Sequence, residues 1–165
     1  MEESKVNIKR LAVDLAKDVF QLYGVDEQGQ KVLDKRLTSR EKFTRCVIKL
    51  GASCEIVMEA CGSANYWARK FIEFGHVVKL ISPQYVKPYI QRNKNDFRDS
   101  KGIMEASFWP GTPYVTPKTI VQQDIQSLLR IRTNYLEMRT AVSNQIRGLM
   151  KEYGVFVKQG YRSFC

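Results

Sequence analysis

The sequence predicts an α/β domain, a mixed sheet with helices on its faces, followed by a long helical arm. Three observations carry this reading. The chain opens with segments of period-two hydrophobic alternation. From about residue 39 helical and strand patterns take turns. A proline-free stretch from Thr119 to Tyr153 then repeats apolar residues every seven positions.

The elements follow in order. In KRLAVDLAK (9–17), Leu11, Val13 and Leu15 alternate with Ala12, Asp14 and Ala16, which predicts a strand. VFQLYGV (19–25) and KVLDKRL (31–37) flank the turn residues DEQGQ and read as a hairpin, so the first three strands form an antiparallel meander. Ser39 caps a helix whose apolar stripe is Phe43, Val47 and Leu50, with Gly51 as a stop. CEIVMEA (54–60) is a buried strand. Ala64 to Phe74 is a helix with Trp67, Phe71 and Phe74 on one face, and HVVKLI (76–81) is another strand. Pro83 starts a short helix through Ile90. A polar stretch, QRNKNDFRDSKG, follows. Trp109 to Pro117 holds three prolines and a glycine, the chemistry of a connector. The expected organisation is therefore a catalytic domain over 1–108, a connector over 109–118 and a helical segment over 119–165.

In that last segment Val121, Leu128, Tyr135, Val142 and Leu149 recur every seven residues. A helix over this stretch would be about 50 Å long at 1.5 Å per residue. Its apolar stripe must pack on the domain or on another chain. Pairing between copies is one reading. The other is two ordinary helices broken near Gly148, and Arg132 and Arg139 in the second apolar column weigh toward it.

Composition narrows the function. Of 165 residues, 27 are Lys or Arg and 17 Asp or Glu, a formal net charge of +10, with 44% hydrophobic residues. Disordered and collagen-like chains are excluded. No apolar run approaches the roughly 18 residues of a membrane helix. The polar start MEESKVNIKR has no secretory core, which predicts a cytoplasmic protein. The excess of positive charge favours a polyanion such as nucleic acid. The cysteines form no CxxC pair and His76 is the single histidine, so a structural zinc site is set aside.

Four acids carry the candidate chemistry. Asp14 lies inside an apolar strand, where a carboxylate is costly unless paired or metal-bound. Glu59 ends a second buried strand and is followed by small residues. Asp96 and Asp99 are three apart and would share a helix face. Oxygen-only ligands suit Mg2+ or Mn2+, and two such ions can clamp the oxygens of a phosphodiester. Each acid also has a plainer explanation. Asp14 would pair with Lys17 or another base. Glu59 would face solvent, and Asp96 and Asp99 would belong to a solvated helix. Arg92, Lys94, Arg98 and Lys101 surround the last pair, with Tyr85, Tyr89, Phe97 and Trp109 near them, a mixture suited to a nucleic-acid backbone and unstacked bases. The tail from Lys118 onward is basic too, eight bases including Arg132 and Arg139 against three acids.

VDLAK around Asp14, MEACGSANYWAR around Glu59 and KNDFRDSKGIMEA around Asp96 and Asp99 resemble the DEDD transposases of bacterial insertion sequences, the insertion-sequence-110 family to which the Piv invertase is related. The stretch TPKTIVQQDIQSLLRIRTNYLEMRTAVSNQIRGLMKEYG resembles the family's helical segment, so the resemblance runs from about Leu11 to Gly154. It implies a ribonuclease-H-like (RuvC-like) catalytic domain and recombination at the ends of a mobile element. Asp14, Glu59, Asp96 and Asp99 match the four metal-binding acids. Mg2+ (or Mn2+), DNA, in some members a structured guide RNA, and homo-oligomers assembled through the long helix come with it. Ser100 stands where an alanine is common, and Phe97 and Arg98 are an unusual filling of DxxD. Family members continue into a second domain with a serine proposed as nucleophile. This sequence stops at QGYRSFC before that domain, and Ser63, Ser107 and Ser163 match no such motif. Two other classes compete: a freestanding RuvC-like nuclease acting on branched DNA, and a non-catalytic DNA-binding or assembly module. A sugar-kinase-like ATPase is discounted, because Ala16 and Lys17 replace the glycines that would approach phosphates.

Overall fold

The computed structural model of the chain describes residues 7–51, 53–90 and 96–160, the side chains of 96–98 apart. The chain divides into two compact units, Met1–Pro117 and Lys118–Cys165.

The first unit is built on a six-stranded sheet: β1 (Arg10–Leu15), β2 (Phe20–Val25), β3 (Lys31–Leu37), β4 (Glu55–Glu59), β5 (Val77–Ile81) and β6 (Tyr114–Val115). The strand order is β3-β2-β1-β4-β5-β6. β1 pairs antiparallel with β2 and parallel with β4, and β4 pairs parallel with β5. A three-stranded meander followed by parallel strands on its inner side is the ribonuclease-H-like arrangement that the motifs implied. Helices α1 (Arg40–Ile48) and α2 (Ala64–Glu73) supply the crossovers, and α4 (Asp96–Phe108) follows the short α3 (Pro83–Val86).

Side chains alternate across a strand, so each strand of the centre feeds two cores. Leu11 and Val13 of β1, with Ile56 and Met58 of β4, face one side. There they meet Phe43 and Val47 of α1 and Trp67, Ala68 and Phe71 of α2. The Phe20 and Phe43 rings stack at 4.3 Å between centroids, and Trp67 meets Phe43 edge-on at 4.8 Å. Such pairs add about 0.5–1.5 kcal/mol each beyond the area they bury. Ala12 and Val57 face the other side, where Val86, Ile103, Met104 and Ala106 cover them. The alternation of β1 is therefore a two-faced burial, which is why its polar Asp14 stands out in the sequence.

Local chemistry sets the element ends. Ser39 caps α1, its side chain accepting from the Lys42 amide. The helix opened by Pro83 is shorter than the sequence suggests: it tightens into a 3-10 turn over Lys87–Tyr89, where Pro88 brings no amide donor. The Pro-rich segment does more than connect. Between Pro113 and Pro117, Tyr114 and Val115 keep free amides and pair antiparallel with Ile81 and Leu80, adding an edge strand the sequence pattern does not reveal. Thr112 Oγ1 donates to the Ala106 carbonyl at 2.7 Å and fixes the turn before it.

The second unit is dominated by α5 (Ile120–Glu152), 33 residues in one run. Thr119 and Gln122 cap it reciprocally. It passes Gly148 without a break and stops at Gly154. There the Val155 amide bonds Met150 O, the Gly154 amide bonds Lys151 O, and Gly154 takes φ +74°, which a Cβ would strain. Arg147 draws the following segment back, donating to the carbonyls of Lys158 and Gly160. Val121, Leu128, Tyr135, Val142 and Leu149 are all more than half exposed, so the helix buries none of its seven-residue stripe within its own unit.

Ser100 of α4 is fully buried, and its hydroxyl has no partner among the described residues. A buried unmet donor costs about 1–3 kcal/mol. Ser100→Ala should therefore raise the melting temperature, by about 2–4 °C for a gain of about 1 kcal/mol. A fall measured by circular dichroism would show that the hydroxyl is satisfied.

Candidate active site

Three of the four candidate carboxylates are placed by the sheet and by α4. β1 and β4 run parallel with Val13 opposite Met58. Asp14 and Glu59 are the next residues along each strand. Both are half-buried at the same rim. Ala12 and Val57, two residues earlier, lie under α4. By the period of a strand, Asp14 and Glu59 therefore project to the α4 face as well.

An anchor at the opposite end of the sheet sets the height of α4. Glu55, at the start of β4, holds Arg10 of β1 with one carboxylate oxygen and Lys79 of β5 with the other, the latter at 2.8 Å. Arg10 also donates to the Ser107 carbonyl and hydroxyl at 3.2 Å, and its guanidinium lies 4.6 Å from the centre of the Phe108 ring. The Lys79 ammonium sits 4.9 Å from the Tyr114 ring, and the Tyr114 hydroxyl donates to Ser107 O at 3.1 Å. The last turn of α4 is thus tied to the first residues of β1 and β4. From Arg10 to Asp14 the strand climbs about 13 Å at 3.3 Å per residue. From Ser107 back to Asp99 the helix climbs about 12 Å at 1.5 Å per residue. The two rises match, and Asp99 arrives at the level of Asp14 and Glu59.

Electrostatics report the meeting. The Glu59 carboxyl is pushed above the ordinary carboxylate range, first by burial, then by the negative charge of Asp99, with Lys87 pulling the other way. Lys87 is a residue the sequence reasoning missed. It sits on the 3-10 turn, which packs closely on α4 at Gly102, where a Cβ would come 3.1 Å from Ile90 Cγ1 and 3.4 Å from the Tyr89 backbone. A lone lysine beside a proline carries no signal of this in sequence. Asp96 starts α4 one turn before Asp99. Its side chain lies outside the described residues. Among the described residues, no three of His, Cys, Asp and Glu stand close enough to hold one ion together. What the fold brings together is Asp14 beside Glu59 at the rim, and Asp99 against Glu59.

A family model described as a transposase, the DEDD type of insertion sequence 110, matches residues 11–155. The chain belongs to this family of DEDD transposases. It is 48% identical over 161 residues to the transposase for insertion sequence element IS1111A of Coxiella burnetii, covering 98% of this chain and 44% of that protein. A probable family 20 transposase of Pseudomonas aeruginosa is 41% identical over 158 residues, 96% of this chain and 46% of the relative. The transposase for element IS1328 of Yersinia enterocolitica is 36% identical over 154 residues, 93% and 46%. The chain spans less than half the length of these relatives.

The basic residues expected on nucleic acid distribute as follows. Lys101 is exposed on α4 of this transposase domain and pairs with Glu105 at 3.4 Å. Arg132 and Arg139 are exposed on α5. Arg98 belongs to α4, but its side chain lies outside the described residues, as do Arg92 and Lys94 altogether. No helix of the described residues is long and apolar enough to cross a membrane.

Glu55→Ala would leave two cations facing each other at a site about one-fifth exposed. Loss of one partner from a buried ion network costs about 3–5 kcal/mol, and partial exposure reduces this to about 2–3 kcal/mol. Chemical denaturation should show that loss. An effect below about 0.5 kcal/mol would mean the anchor is only a surface pair.

Proposed function

We propose that this chain is the catalytic part of an insertion-sequence transposase, cutting and exchanging DNA strands at a divalent-metal carboxylate site. Asp14, Glu59, Asp96 and Asp99 would hold Mg2+ or Mn2+. The observation that carries the reading is the parallel register of β1 and β4, which sets Asp14 and Glu59 side by side on the face that α4 brings Asp99 to. The donor chemistry fits: every candidate ligand is a carboxylate oxygen, the set these hard cations take. The Glu59–Asp99 repulsion is what a cation would relieve. Bound there, such an ion supplies positive charge against phosphate oxygens on which negative charge develops. The chain's own residues do the rest. The sheet rim orients two carboxylates, α4 presents the others, and Lys101 and Lys87 add positive charge along the approach of a phosphodiester. The basic α5, with Arg132 and Arg139, lies along DNA. Arg92, Lys94 and Arg98 belong to the same DNA-binding set, and a structured guide RNA is a further partner under this reading. The work is cytoplasmic.

Two measurements test the site. With Mg2+ or Mn2+ at about ten times Kd, binding adds about 1.4 kcal/mol and should raise the melting temperature by about 3–6 °C. Glu59→Gln should raise the melting temperature without metal, because it removes the repulsion with Asp99, and should abolish the metal-dependent shift. An equal shift in Glu59→Gln and Asp14→Asn would sink the reading. Incubation of the purified chain with linear and branched DNA and Mn2+ then separates the classes. Cutting of branched DNA that Asp14→Asn abolishes would mark a freestanding nuclease, whereas binding without cutting fits one part of a larger recombinase.

Assembly follows from α5. A stripe spaced every seven residues and left in water finds its cover in the same stripe of a second copy. Leu128→Glu combined with Tyr135→Glu should convert dimers or larger species to monomers in sedimentation equilibrium. An unchanged mass would exclude α5 as the contact.

A further inference from the structure

A second site opens on the opposite face of the sheet from the carboxylates. A cleft of about 880 Å3 lies between the ends of β1 and β4 and the helices α1 and α2. Lys17, Arg40, Arg45 and Lys70 line it, against one acid, Glu41. Its wall carries Tyr66, half exposed, whose ring meets Trp67 edge-on at 5.2 Å. The Lys70 ammonium lies 5.9 Å from the centre of the Tyr66 ring and 5.5 Å from that of Trp67. Gly62 also lines the cleft, and a Cβ built on it would meet nothing within 4 Å.

We infer that this cleft binds a single-stranded segment of nucleic acid, with phosphates on Lys17, Arg45 and Lys70 and an unstacked base on Tyr66. Four cations around one carboxylate suit a polyanion. An exposed aromatic ring with a cation beside it is how sequence-tolerant single-strand sites hold bases. The requirement for unstacked bases excludes an intact duplex, whose base faces are covered. Position gives the cleft its use. Lys17 is three residues beyond Asp14 and Ser63 four beyond Glu59, so the same two loops leave the carboxylate rim and turn into the cleft. A strand freed at the rim has a charged path over the sheet edge. This deepens the DNA reading above and adds to it a holding site for the separated strand. DNA and RNA share this chemistry.

The test is fluorescence anisotropy with a labelled oligonucleotide as single-stranded DNA, as RNA of the same sequence, and as duplex DNA. EDTA is present throughout, so the carboxylates play no part. Single strands should bind at least tenfold tighter than duplex to this face, measured as the affinity lost in the cleft variants. Tyr66→Leu should weaken single-strand binding about tenfold and leave duplex binding within twofold. Lys70→Ala should lower the slope of log K against log salt by about 0.7 for single strands. Lys9→Ala, at the opposite end of the sheet, should change affinity less than twofold. A 5-iodouracil oligonucleotide should cross-link within residues 61–70 of the unsubstituted chain, which reads the site without any variant. Stronger loss with DNA or with RNA identifies the source of the strand, and either supports the site. Tyr66→Leu within twofold for single strands, cross-links confined elsewhere, or equal losses from Lys9→Ala and Lys70→Ala would overturn it. Because no divalent ion is present, failure here leaves the metal-dependent melting shift untouched, and failure of that shift leaves this binding intact.

Discussion

The ionic anchor at the base of the sheet governs what happens at its top. Glu55 binds two cations from neighbouring strands, and one of them, Arg10, also holds the end of α4. A strand and a helix advance at different rates per residue, so residues on them stay level only if both are fixed at one end and measured from there. Four strand residues and eight helical residues cover nearly the same distance. A helix freed at Ser107 could slide or tilt against the sheet, and Asp99 would lose its place opposite Glu59. Gly102 serves the same end, letting the turn at Lys87–Tyr89 close on α4.

The sheet separates two kinds of work. On one face, Ala12 and Val57 pack under α4, and that helix brings Asp99 to Glu59. On the other, the large aromatic core around Phe43 and Trp67 supplies packing, and its outer edge becomes a basic cleft. Asp14 and Glu59 lie on the α4 face with Lys87 near them, while the cluster of Lys17, Arg40, Arg45 and Lys70 lies on the other, and the two are joined by loops at the rim.

Much of this was legible before any coordinates. Every strand from Arg10 to Ile81 announces itself by alternation or by a short β-branched run, and Ser39 marks the start of α1, because these signals are local; the helix itself ends at Ile48, short of Leu50 and Gly51. Asp14 is legible as a candidate because a carboxylate in such a strand violates the burial pattern around it. The β6 pairing was not, since two residues between prolines carry no periodicity and gain their partner only from the exposed edge of β5. Nor was the Arg10–Glu55–Lys79 cluster, whose members look like ordinary surface charges until the parallel register aligns them. The cleft residues are drawn from three separate stretches, 15–20, 40–45 and 61–70. Each is an ordinary lysine, arginine or tyrosine in isolation, and only the crossover helices gather them. For α5 the heptad spacing gave the helix but left its partner open.

The small strand β6 has a further effect. An open sheet is a template for fibrils wherever its edge shows unpaired amides over a long flat run. Here the Leu80–Ile81 end of the β5 edge is covered by two residues bracketed by Pro113 and Pro117, so the new edge strand is itself very short. At the far side, β3 carries Lys31, Lys35 and Arg36, charges that repel a second copy of themselves. Both borders thus carry features that discourage one sheet from joining another edge to edge.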